Sequence, residues 1–180
     1  PMTPLTLAFG PLAAFNLLQL AAPVLATWTG YLLCRKIVGS FWPALTGGLF
    51  FGFSPFLTGE VGQGHPNLSM AFLMPVAAYL MLRLLEGSIR ARWFVLALGI
   101  LLAVQLYLST EVFATMTLMG VVFGIVGLAL AGSGYRQRLW RAIGPVAGAY
   151  AVALALGSPL LYVAFTRPRP YKPVLFTNLE

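Results

Sequence analysis

Long apolar runs, broken only by short clusters of charge, set the pattern of this chain. Asp, Glu, Lys and Arg are absent from 1–34, 37–59, 61–82, 93–110, 112–135 and 142–166. A helix that crosses the hydrocarbon core of a bilayer needs about 20 apolar residues, range about 17–25. Five of the six intervals have that length, and the longest holds one span with an apolar approach. The period-2 alternation of a membrane barrel does not occur, and a backbone in lipid must satisfy its own polar groups. The pattern therefore predicts an all-α fold, a polytopic transmembrane helical bundle of about six spans. These fall at 13–34, 39–57, 67–85, 93–109, 111–131 and 142–165, in a single transmembrane domain over 1–180.

Composition narrows the class. Of 180 residues, 59% are hydrophobic and 8% charged, with mean hydropathy +0.88. Soluble domains carry about 25% charged residues, so a water-facing surface is excluded and the lipid bilayer is the first expected partner. A net charge of +7 and a pI near 10.1 raise the question of nucleic acid. The basic residues, however, sit in short connections between spans, where they orient the protein, and no nucleic-acid partner is expected. Arg35, Lys36, Arg83, Arg90, Arg92, Arg136, Arg138 and Arg141 fall on one face under alternating topology; Arg167, Arg169 and Lys172 fall on the other. Eight against three predicts that the first face is cytoplasmic. The loop 58–66, the turn near 109–111 and both termini are then extracytoplasmic.

One cysteine, Cys34, excludes an intramolecular disulfide and any Cys-based metal site; beside Arg35 at a helix end it reads as a packing residue. No basic segment precedes the first apolar stretch, so the N-terminus does not read as a signal peptide. The chain opens inside apolar sequence and stops at Asn178-Leu179-Glu180 without a closing element, which reads as an internal fragment.

Within the spans, Gly120-x-x-x-Gly124, Gly144-x-x-x-Gly148 and the series Ala149, Ala153, Gly157 place small residues on helix faces, a spacing that lets helix backbones approach. Asn16, Gln19, Pro23 and Thr27 form a polar stripe on one face of the first span, expected to make interhelical hydrogen bonds or to line a substrate path. Met70, Met74 and Met81 share a face of the third span and read as core.

Candidate chemistry gathers outside the apolar runs. Thr58-Gly-Glu-Val-Gly-Gln-Gly-His-Pro-Asn67 puts Glu60, the sole His65 and Asn67 in one outer segment. Glu60 and His65 suit a general-base or metal pair, or His65 stabilises the loop by capping near Asn67. Two ligands five residues apart make a weak metal signal, and no metal or cofactor is expected. Glu111, after Gln105, Ser109 and Thr110, is either a first-turn acid favoured by the helix dipole, with Ser109 or Thr110 as cap, or a group lining a polar cavity. Arg167, Arg169 and Lys172 alternate with prolines in an extended tail; they suit a phosphate, for which Arg offers bidentate geometry, or lipid headgroups. No Walker-type loop, His-Glu-x-x-His, Gly-x-Ser-x-Gly or Asp-x-Asp occurs.

Four stretches carry a resemblance: Gly10-Pro-Leu-Ala-Ala-Phe-Asn16; Gly47-Gly-Leu-Phe-Phe-Gly-Phe-Ser-Pro-Phe56; Gly64-His-Pro-Asn-Leu68 with Leu73-Met-Pro75; and Leu108-Ser-Thr-Glu111. In order and spacing, over about residues 4–175, they resemble bacterial multi-pass membrane glycosyltransferases of the GT-C superfamily, of the family-39-like actinobacterial and chloroflexal type. The resemblance implies an integral protein of the bacterial plasma membrane that handles a polyprenyl-phosphate-linked sugar at the extracytoplasmic face. Glu60, His65, Asn67, Glu111, Arg167, Arg169 and Lys172 are then the candidate substrate-binding residues. In that superfamily the catalytic acid commonly follows the first transmembrane helix, in an outer loop that would lie upstream of Pro1, so no catalytic residue is assigned here. A transporter or flippase of a lipid-linked or polar solute, and a non-catalytic structural subunit, are the alternative classes.

Overall fold

The computed structural model describes residues 3–166, which fold as nine helical segments with no strand among the described residues. They are α1 (Thr3–Phe9), α2 (Pro11–Val38), α3 (Phe41–Gly52), α4 (Pro55–Gly62), α5 (Pro66–Ser69), α6 (Leu73–Leu85), α7 (Ala91–Leu108), α8 (Thr110–Leu130) and α9 (Ser133–Thr166). The fold is all-α. Five stretches are long and apolar enough to cross a membrane: Pro11–Val38, Pro66–Leu85, Ala91–Leu108, Thr110–Leu130 and Ser133–Thr166.

The expected span at 39–57 is interrupted. α3 has 12 residues, a rise of ~18 Å against a hydrocarbon core of ~30 Å. Pro55 disfavours a helical Ser54 before it, and Ser54 instead caps α4, accepting the Leu57 N–H at 3.4 Å. α4 then continues to Gly62, so most of the expected loop 58–66 is helical and the turn shrinks to Gln63–His65, with Gly64 at φ +72°. α3 and α4 together run back along α2. Their approach is backbone to backbone, because a Cβ on Gly48 would lie 2.6 Å from the Thr27 carbonyl oxygen and one on Gly52 2.6 Å from that of Pro23. Cys34 packs beside Gly47, as a small apolar group would.

The second half is built around α7. Phe94, Leu98, Leu101, Leu102 and Ala103 form a buried cluster with Ala149 and Ala153 of α9, against which Met81 of α6 and Phe113 and Met116 of α8 pack. Gly99 meets Val152, and Gly157 meets Leu106, so the small series in α9 is the seam with α7. Met70 is buried, Met74 packs on the Ala26–Leu57–Ala71 cluster and Met81 on the α7 cluster; the three are core as expected, but the break in the helix at 70–72 divides them between two clusters where one shared face was expected. Gly120 and Gly124 behave otherwise: nothing lies within 4 Å of a Cβ on either. The expectation that this pair makes a packing seam does not hold within the described residues, because α7 and α9 pack on this face of α8 in its first turns, through Phe113 and Met116, and that packing does not reach Gly120 and Gly124. Gly144 is equally open.

α9 begins at Ser133, nine residues before the expected span, and its first turns carry Arg136, Arg138 and Arg141. Arginine is a good helix former, so the charge cluster marks where apolarity starts and not where the helix starts. The cationic ends are tied together: Lys36 Nζ stands 2.7 Å from Glu86 Oε2, and Arg138 donates to the Leu85 carbonyl at 3.3 Å. The opposite end carries Glu60, His65 and Glu111, and among the described residues no Lys or Arg.

Candidate functional site

The acidic end is assembled by polar side chains from five helices. Gln19 of α2 is 6% exposed. Its Nε2 donates to the Val61 carbonyl of α4 at 3.4 Å, while its Oε1 accepts the Ser69 hydroxyl of α5 at 2.9 Å. The polar stripe therefore makes interhelical bonds at Gln19, whereas Asn16 is exposed and the Thr27 hydroxyl oxygen is buried without a hydrogen-bond partner. These bonds fix α5, and α5 presents Asn67.

Across from α5, α7 ends at Leu108 and the chain turns through Ser109, whose extended backbone (φ −159°, ψ 113°) starts α8 at once. Ser109 is buried, donates its own N–H to the Gln105 carbonyl at 2.8 Å, and its hydroxyl accepts the Val112 N–H at 3.1 Å. Ser109 is thus the cap, and Glu111 stands in the first turn of α8, where the helix dipole favours its negative charge. Asn67 Nδ2 donates to Glu111 Oε2 at 3.0 Å. First-turn acid and cavity lining turn out to describe one position, because a cleft of about 250 Å³ opens there between Asn67, Tyr107, Ser109, Thr110, Glu111 and Leu160. Tyr107 closes its far wall, its hydroxyl donating to the Leu156 carbonyl of α9 at 3.2 Å.

Glu60 and His65 form a separate pair beside this cleft. His65 Nδ1 lies 2.9 Å from Glu60 Oε2, the acid being the better covered of the two (16% against 50% of side chain exposed). His65 occupies the cap position of α5 but makes no side-chain cap bond; the expected capping fails because the ring turns back to Glu60. Neither residue lines the cleft, so the structure joins Asn67 with Glu111 and Glu60 with His65, and does not merge the two pairs. No three His, Cys, Asp or Glu side chains gather in a metal-binding arrangement among the described residues. Arg167, Arg169 and Lys172 lie outside the described residues.

Two residues stand out that their place in the sequence did not single out. Tyr107 is one, a cleft wall hidden in an apolar run. The other is Gln105, fully buried in α7, with neither amide atom hydrogen-bonded. An amide inside a span signals burial against protein, but its neighbours follow only from packing. Comparison with family models, with curated proteins and with solved structures found no match for this chain.

Proposed function

We propose that the chain is part of a multi-pass membrane protein of the GT-C glycosyltransferase type, and that the Asn67–Glu111 cleft holds the sugar of a polyprenyl-phosphate-linked donor. Membrane residence is supported by the five long apolar helices and by the large apolar side chains on their outer faces, among them Leu118, Val121, Phe123 and Ile125 of α8. A soluble monomer rarely leaves a contiguous apolar surface of that extent exposed. The cationic end is read as cytoplasmic by the Lys/Arg rule, which puts the cleft on the extracytoplasmic side of a bacterial plasma membrane.

The observation that carries the reading is the carboxylate–amide pair at the mouth of the cleft, level with the helix ends. A carboxylate accepts and an amide both donates and accepts, which suits the hydroxyls of a sugar. The same site lacks a cation among the described residues, so the cleft favours the sugar over the phosphate. The phosphate is assigned to the tail Arg167, Arg169 and Lys172. Glu60 of α4 and His65 at the cap of α5 are read as flanking the donor.

The test uses the full-length protein with a polyprenyl-phosphate sugar as donor. Asn67 and Glu111 are both exposed at the mouth of the cleft, and Glu111→Gln and Asn67→Ala are expected to lower transfer about tenfold, since a hydrogen bond to a charged group contributes about 1.5–3 kcal/mol. Unchanged transfer in both variants overturns the assignment of the cleft. A transporter reading is favoured by one observation, the unpartnered amide of Gln105 inside the bundle; solute uptake without sugar transfer, abolished by Gln105→Leu, would select it.

A further inference from the structure

A groove of about 440 Å³ runs between α2 and α3, sharing no lining residue with the cleft and walled by Val24, Trp28, Tyr31, Phe41, Leu45 and Phe53. It exists because Gly48 and Gly52 draw the two backbones together while large rings stand on either side. Those rings are in contact, Trp28 tilted against Tyr31 at 6.0 Å and Tyr31 T-shaped to Phe41 at 5.9 Å between centroids. From Phe41 to Phe53 the groove follows α3 for ~18 Å, close to the ~15 Å depth of one leaflet of hydrocarbon. Val24, Trp28 and Tyr31 recur at intervals of three and four on one face of α2, and the next position on that face is Arg35. Arg35 is exposed and makes no ion pair or side-chain hydrogen bond among the described residues. Its neighbour Lys36 is engaged by Glu86, which also leaves no free carboxylate there.

We propose that this groove binds one acyl chain of an anionic phospholipid whose phosphate rests on Arg35. The proposal rests on the membrane reading above and is independent of the cleft. The apolar, ring-lined trough takes the chain; its single-leaflet length and its cationic mouth select a lipid of the leaflet at the basic end, and the charge selects an anionic headgroup. Guanidinium is suited to phosphate by its forked donors, and a cation at the headgroup level contributes a factor of about five in affinity for anionic lipid.

Trp28 stands in the groove wall, 59% exposed, and supplies the readout. In the full-length protein in nonionic detergent, with every tryptophan except Trp28 replaced by phenylalanine, phosphatidylglycerol brominated in mid-chain is expected to quench Trp28 saturably. Phosphatidylcholine brominated at the same carbons should require several-fold more lipid. Arg35→Gln should raise the phosphatidylglycerol midpoint about fivefold and erase the headgroup preference, Arg35→Lys should leave it within about twofold, and Leu45→Phe, which narrows the groove, should lower the plateau. Equal quenching by both lipids, or a midpoint unmoved by Arg35→Gln, overturns the proposal. An alkaline carbonate wash of cell membranes separates the two readings: release of the protein overturns membrane residence itself, whereas retention without headgroup preference overturns the groove alone.

Discussion

The Ser69 hydroxyl donates to Gln19 Oε1 across 50 residues of sequence, with both side chains buried. This bond joins α5 to α2 at the level where α5 offers Asn67 to Glu111. Hydrogen bonds between apolar helices contribute about 0.6 kcal/mol on average and about 1.7 at most. A double-mutant cycle of Gln19→Leu and Ser69→Ala, read by reversible unfolding in micelles, is expected to give a coupling in that range. Additive effects would mean that the pair does not fasten α5.

Gly48 and Gly120 should respond in opposite ways to one methyl group. At Gly48 a Cβ would meet backbone atoms, Thr27 oxygen at 2.6 Å and Tyr31 nitrogen at 2.8 Å, so Gly48→Ala is expected to destabilise by about 1–3 kcal/mol. At Gly120 nothing lies within 4 Å, and the higher helix propensity of alanine leaves Gly120→Ala neutral or up to ~1 kcal/mol more stable. Thermal unfolding of the two variants in the same detergent checks the contrast; equal losses would contradict the α2–α3 contact.

Gln105 presents a sharper case. A buried amide without partners is unfavourable by about 1–3 kcal/mol on protein scales, and both amide atoms of Gln105 are in that state. Gln105→Leu is therefore expected to raise stability by ~1 kcal/mol. A loss of stability would show that the amide has a partner in the folded protein.

Orientation can be read by labelling. In a Cys34→Ser background, a cysteine at Gln63 is expected to react with an impermeant reagent on intact cells, and one at Ser133 only after permeabilisation. The reverse pattern would invert the assignment from the eight cations of the basic end.

The long helices were legible because apolar length is a property of the chain alone. Their ends were less so. At Ser54-Pro55 a helix-breaking signal was present but outweighed by the apolarity on both sides, and at Ser133–Arg141 charge stopped the hydrophobic run without stopping the helix. The candidate residues at the acidic end were visible as polar types in apolar surroundings. Their pairing was not, since Asn67 and Glu111 are 44 residues apart and meet only through the packing of α5 on α8. The openness of Gly120 and Gly124 was invisible for the same reason: spacing specifies a face, and only the assembled bundle decides what the face meets.

The anchoring of α8 is concentrated in its first turns. The Ser109 cap, the Asn67–Glu111 bond, the Phe113–Tyr150 ring contact and the Tyr150–Thr117 bond all fall before residue 118. Beyond that point the helix carries a largely bare apolar surface, touched at Gly127 by Leu139. A rod fastened chiefly at one end concentrates its load there. The far end of α8 is held by the two-residue connection to α9 and by the Leu139 contact, so the load of seating Glu111 rests on Ser109, Asn67, Phe113 and Thr117.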